Sequence, residues 1–216
     1  MFKGVDILWI GSNILVLLFS VSLHESAHAW IAGKRGDPTG KLLGRVSLNP
    51  LRHLDPVGSL LVPMIGIFTG APVFGWAKPV PVNSANLPDF RRDQLFISLA
   101  GPLSNLCAAA SFFLLIKLLA VPAASIGGFP GVALGVTVMI CQIGFLINII
   151  LAVFNLIPIP PLDGSWVLAG LLPTRYLSYF EKIRPYGFFI LLLLLVTGGI
   201  GFILGPILDS AIALIR

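Results

Sequence analysis

His24 and His28 stand four residues apart in "SVSLHESAHAWIAGKRG", residues 20–36, with Glu25 directly after the first of them. On a helix that spacing puts both imidazoles on one face, one turn above the other, with the carboxylate close by. Neutral imidazoles bind Zn²⁺, and a neighbouring glutamate can take a proton from an attacking water. The chemistry this pattern supports is metal-assisted hydrolysis.

The setting makes the pattern more specific than five residues alone would be. Hydrophobic residues form 56% of the 216 and charged residues 11%, and mean hydropathy is +0.97, which describes an integral membrane protein. The formal charge of +5 offers no solvated basic face for nucleic acid, because the cations sit in short loops between apolar runs. Cys107 and Cys141 lie far apart in separate apolar segments, without metal or redox spacing, and read as helix packing. Met1 to Asp6 carries one Lys and one Asp, and no small-residue cleavage site precedes the histidine pair, so the first helix is expected to be retained.

A crossing takes about 20 helical residues. Four apolar runs reach that length, at about Val5 to Gly33, Gln94 to Val121, Gly131 to Ile157 and Tyr186 to Leu208. Val57 to Thr69 and Ser165 to Leu172 are too short and carry or adjoin proline. The fold class expected is an all-α polytopic membrane protein with about four full spans plus one or two short or re-entrant helices. Residues 1–216 form a single domain in this reading.

Lys34, Arg35, Lys41, Arg45 and Arg52 follow the first span, Lys78, Arg91 and Arg92 precede the second, and Arg175, Lys182 and Arg184 follow the third. By the positive-inside rule these loops are cytosolic, and the uncharged Pro122 to Pro130 connection is external. Val57 to Thr69 then has cytosolic flanks on both sides and reads as re-entrant or surface-lying. Around Gly75 to Asn83, Pro79 and Pro81 exclude a helix, so a small extended or β segment at the cytosolic boundary is expected, with Trp76 as its interface anchor.

Lys34 and Arg35 follow His28 by one to two turns, which places the pentapeptide roughly 10 Å or less inside that boundary. Ionisable groups at such a depth are functional by default; the competing reading is a polar patch between helices. Catalytic zinc usually has three protein ligands. Asp163, in "FNLIPIPPLDGSWVLAG", follows a helix end broken by Pro158, Pro160 and Pro161. Its carboxylate has two readings, an N-cap for the helix starting near Ser165 or a third ligand, and the matching depth favours the ligand.

Together with "LAGPLSN" (Leu99 to Asn105), "GRVSLNPLRHLDPVG" and "GWAKPVPVN", these motifs resemble the site-2 protease family of intramembrane zinc metalloproteases, in its compact bacterial and archaeal branch without a PDZ insertion. The resemblance covers most of the chain. It implies one Zn²⁺ per chain, held by His24, His28 and Asp163, with Glu25 as catalytic base. It also implies hydrolysis of peptide bonds in or near transmembrane segments, of membrane regulators or leftover signal peptides, at a multi-pass site in the plasma membrane near the cytosolic side.

Two further residues are open. Asn155 is either an oxyanion donor or a helix-to-helix hydrogen bond. His53 is either a solvated loop side chain or a substrate-contacting group. The alternative functions are a membrane metal transporter or sensor and an inactive protease homologue. Against the transporter stand the single polar cluster and the lack of internal repeats, and Glu25 argues against both.

Overall fold

The computed structural model describes residues 7–61, 64, 68 and 75–216. Helix α1 is Ile7–Lys34, α2 is the single turn Thr39–Leu42, α3 is Phe90–Ser125 and α4 is Gly128–Asn155; then come α5 at Asp163–Leu171, α6 at Thr174–Ile183, α7 at Gly187–Val196 and α8 at Gly199–Ile215. Among the described residues there is no β-ladder. α1, α3 and α4 are long and apolar enough to cross a membrane, and side chains such as Leu15, Leu114, Leu118 and Val132 point outward, exposed. That is the surface a helix bundle presents to lipid.

The fourth apolar run is not one straight span. The helical stretch Thr174–Val196, which holds α6 and α7, is bent by 66° from α8 at Gly198, whose φ of +78° is left-handed backbone that glycine adopts without a Cβ clash. The Thr197 and Gly198 amides close the last turn of α7 on the Leu193 and Leu195 carbonyls. Among the described residues, counting the bent pair as one crossing makes four candidate spans by length and composition; otherwise there are three.

α8 is seated on α3 and α4: Ala211 packs with Ala109, Ile116, Cys141 and Phe145. α3 begins where Asp89 caps it, accepting from the Arg92 amide while Asp93 accepts from the Asp89 amide. α4 stops at Asn155 because the prolines that follow lack the donors to continue it. α5 then packs back on α3, where Arg91 reaches the free carbonyls of its last turn at Ala169 and Leu172.

The re-entrant piece expected at Val57 to Thr69 lies largely outside the described residues; its start belongs to a π-type turn at Pro56–Leu61. Residues 75–83 are neither helical nor laddered. Their anchors are isolated bonds, from the Trp76 amide to the Gly58 carbonyl and from the Lys78 amide to that of His53.

Asp37 ties this segment to the end of α1. It is fully buried and accepts from the Thr39 amide and hydroxyl, the Asn86 side chain and the Asn83 amide. Burial pushes its carboxyl up, but the hydrogen bonds from Thr39, Asn86 and Asn83 outweigh that and hold it below the ordinary carboxylate range. A carboxylate with a lowered folded value contributes stability above the unfolded value, about 3.9, and loses it as pH falls through the folded one. Asp37→Asn is therefore expected to lower the thermal midpoint in detergent at pH 7, with the gap to wild type constant down to about pH 5 and closing below about pH 4. A gap that widened in acid would contradict this account.

Candidate metal centre

His24 and His28 lie inside α1, both buried. Their rings meet edge to face at 4.6 Å between centroids, as residues one turn apart must. Each is held from behind. The Nδ1 of His24 is 2.6 Å from Asn105 Oδ1, and that of His28 is 2.7 Å from the Ile97 carbonyl. Both partners are acceptors, so each Nδ1 carries the hydrogen and donates it, leaving each Nε2 with a free lone pair.

Asn105 is itself fixed. Its amide donates to the Ser20 carbonyl and to Asn148 Oδ1, and the Asn148 amide donates to Ser20 Oγ and the Gly144 carbonyl. Ser20, Asn105 and Asn148 are all fully buried, so one polar chain joins α1, α3 and α4 behind the imidazole.

Asp163 comes from the first turn of α5. The N-cap position is Leu162, so the carboxylate is not capping its helix. Its Oδ2 stands 3.0 Å from His24 Nε2 and 3.2 Å from His28 Nε2. That oxygen is buried and has no aligned hydrogen-bond partner among the described residues. These two separations are close to the edge of a tetrahedron with bonds of about 2.0–2.1 Å, and all three atoms lie within 4.8 Å of one another. Two imidazole nitrogens and one carboxylate oxygen form a donor set of catalytic zinc, so the residues fit that ion.

The close approach depends on Gly101. A Cβ there would lie 2.6 Å from Cε1 and Nε2 of His24, and would overlap His28 Nε2. α3 therefore meets the ligands with bare backbone.

The three side chains open on a cavity of about 650 Å³, which Glu25, half-buried, and Asn155 also line. Residues 75–82 form one wall, through Trp76, Pro79 and Val80, and α7 forms another, through Phe188, Leu191 and Leu195.

A family model described as peptidase family M50 matches residues 83–197, just over half of the chain. The Bacillus subtilis protein named "Putative zinc metalloprotease YwhC" is 37% identical over 198 residues, covering 91% of this chain and 85% of its own. The chain belongs to peptidase family M50. The "Putative zinc metalloprotease Rip2" of Mycolicibacterium smegmatis is 32% identical over 88% of this chain and 69% of its own. The "Putative zinc metalloprotease MJ0611" of Methanocaldococcus jannaschii is 37% identical over 92 residues, 38% of this chain and 42% of its own. No solved structure matches.

Within this M50 chain the site residues read from sequence separate into two groups. His24, His28, Asp163, Glu25 and Asn155 share the cavity. Asn155 at present donates to the Leu151 carbonyl of its own helix. His53 is not among the cavity residues, and it is not solvated either: it is 2% exposed, with Nε2 on the Ser47 carbonyl. Ser26 grips the Ser47 amide and carbonyl from α1, which folds this loop onto the helix and draws His53 inward. Gly101 and Asn105 lie in the "LAGPLSN" motif but were given no role from sequence, and Asn148 was not singled out. The signal for the two asparagines was present, since amides inside apolar spans always need a partner.

Proposed function

We propose that this M50 peptidase is an intramembrane zinc metalloprotease, formed by residues 1–216 as one domain, that hydrolyses peptide bonds within or beside transmembrane segments of regulators or signal peptides. The observation that carries the reading is the convergence of His24 Nε2, His28 Nε2 and Asp163 Oδ2 inside a bundle of membrane-length helices, on a cavity shared with Glu25. The metal names borne by YwhC and Rip2 support zinc as the ion. The basic loops flanking the motif helices support an active site near the cytosolic side of the plasma membrane.

Zinc held by His24, His28 and Asp163 supplies Lewis acidity, which makes water a competent nucleophile near neutral pH. The Asn105 and Ile97 oxygens keep both imidazoles in the ligating tautomer. Glu25 takes the proton of the attacking water and hands it to the leaving amine. Asn155 lines the same cavity, and its amide, turned from Leu151 toward the substrate, donates to the developing oxyanion.

A helical substrate must unwind before attack, and its freed amides need acceptors in a place without water. The segment 75–83 is suited to that. Its Trp76 and Lys78 amides are already bonded elsewhere, and Pro79 and Pro81 have none, so what it presents to an added strand is mostly carbonyl oxygen.

The test is cleavage of single-span model substrates by the purified protein in bilayers, with the cut sites mapped by mass spectrometry. Cuts inside the hydrophobic span, abolished by a zinc chelator, are expected. Cuts confined to the soluble flanks, at rates equal to those on a water-soluble peptide, would overturn the intramembrane reading while leaving a metalloprotease.

A further inference from the structure

α6, "TRYLSYFEKI", has two unlike sides. At 100° per residue Tyr176, Tyr179, Phe180 and Ile183 fall together, Thr174, Ser178 and Glu181 fall opposite, and Arg175 and Lys182 stand on the same border between them, two turns apart. None of its residues is buried. Tyr176, Tyr179 and Ile183 are 44%, 64% and 53% exposed and of that side only Phe180 is half-buried, so the described residues leave most of the apolar side uncovered.

Its place in the chain fixes its depth. Just after α6 comes the unbroken apolar run of α7, Gly187–Val196, and just before it α5, which starts at Asp163. Ten helical residues, about 15 Å, therefore lie where hydrocarbon gives way to headgroups. Tyrosine is the side chain that suits this layer, with its ring in the apolar part and its hydroxyl in the wet part.

The charges are set for a lipid and not for a carboxylate of the protein itself. Glu181 is paired with Arg184 at 3.2 Å, and the Arg184 guanidinium also stacks 3.4 Å from the ring centre of Trp166, a cavity residue. Arg175 and Lys182 have no carboxylate within 4.0 Å among the described residues; each lies instead against a neighbouring tyrosine ring, Tyr176 and Tyr179 respectively. Long cationic side chains in this position lay their stems on apolar surface and hold their heads toward phosphate.

We propose that α6 is a binding site for anionic phospholipid headgroups, with Arg175 and Lys182 each facing the phosphate layer and Tyr176, Tyr179 and Ile183 seated beneath it. The proposal does not depend on the peptidase reading, and its test does not use catalysis.

The test is electron spin resonance of the full chain reconstituted in phosphatidylcholine bilayers that contain either spin-labelled phosphatidylglycerol or spin-labelled phosphatidylcholine. Wild type is expected to immobilise the anionic lipid with an association constant about 3- to 10-fold above that of the zwitterionic one, falling as NaCl rises. R175Q/K182Q is expected to lose at least half of this preference, whereas K41Q/R92Q, which removes two exposed cations outside α6, keeps most of it. Both pairs lie on exposed side chains, and unchanged helix content by circular dichroism checks that each variant is folded. Equal immobilisation of the two lipids by wild type would overturn the proposal, leaving the face to a protein. An undiminished preference in R175Q/K182Q would overturn it equally.

Discussion

Glu25→Gln is expected to keep its zinc and lose about 10²- to 10⁴-fold in the rate of peptide cleavage, the range a positioned general base contributes. Glutamine has the shape of glutamate and occupies the same half-buried place on the cavity wall, but cannot accept the proton. The metal-site group consists of His24, His28 and Asp163 and does not include Glu25, so metal content separates the two roles. Single-turnover cleavage of a single-span substrate, beside zinc per chain by atomic absorption, reads both. A variant that held its zinc and cleaved within about tenfold of wild type would remove Glu25 from the reaction, and one that lost zinc would make it a ligand or a support for one.

The second large effect concerns a residue with no functional group. Gly101→Ala places a methyl where the lone-pair faces of His24 and His28 meet. The rings have no retreat, because hydrogen bonds to Asn105 and to the Ile97 carbonyl hold them from behind. Either those bonds break or α3 moves off α1, and each outcome spoils the spacing of the three ligand atoms. Removing a single outer partner of a metal ligand costs about 10- to 100-fold in affinity. Displacing the ligands themselves should cost at least about 100-fold, measured by competition with a chelator of known affinity. Gly135→Ala is the control, since a Cβ there has nothing within 4 Å, and it should bind zinc as wild type does. Zinc affinity unchanged in Gly101→Ala would mean the helices have slack that the contacts do not suggest.

The candidate site was the most legible part of the chain, and the reason is physical. A bilayer tolerates few ionisable groups, so His24, Glu25 and His28 stand out against their surroundings, and the proline break before Asp163 marks where backbone can turn toward them. Helix positions followed for the same reason: α1, α3 and α4 lie within a few residues of the apolar runs. What could not be read was anything decided by approach between helices. Gly101 looks like any glycine in a span until the imidazoles are set against it. Gly198 sits inside an apolar run that hydropathy reads as continuous, yet it bends the chain by 66°. His53 looked solvated because its neighbours are charged, whereas Ser26 folds its loop onto α1 and buries it.

The chain of amides from Ser20 through Asn105 and Asn148 bears on how the protein is supplied with its metal. Small zinc domains assemble only around the ion, so their apo forms are unfolded. Here the three long helices are laced together by hydrogen bonds in which no metal-facing atom takes part, only the rear nitrogen of His24. Such a network is expected to hold the bundle without the ion, so that a chelator removes zinc with helix content by circular dichroism unchanged. A cell short of zinc would keep an assembled, idle reserve in its membrane, ready to be switched on when the ion returns, with no need for new synthesis.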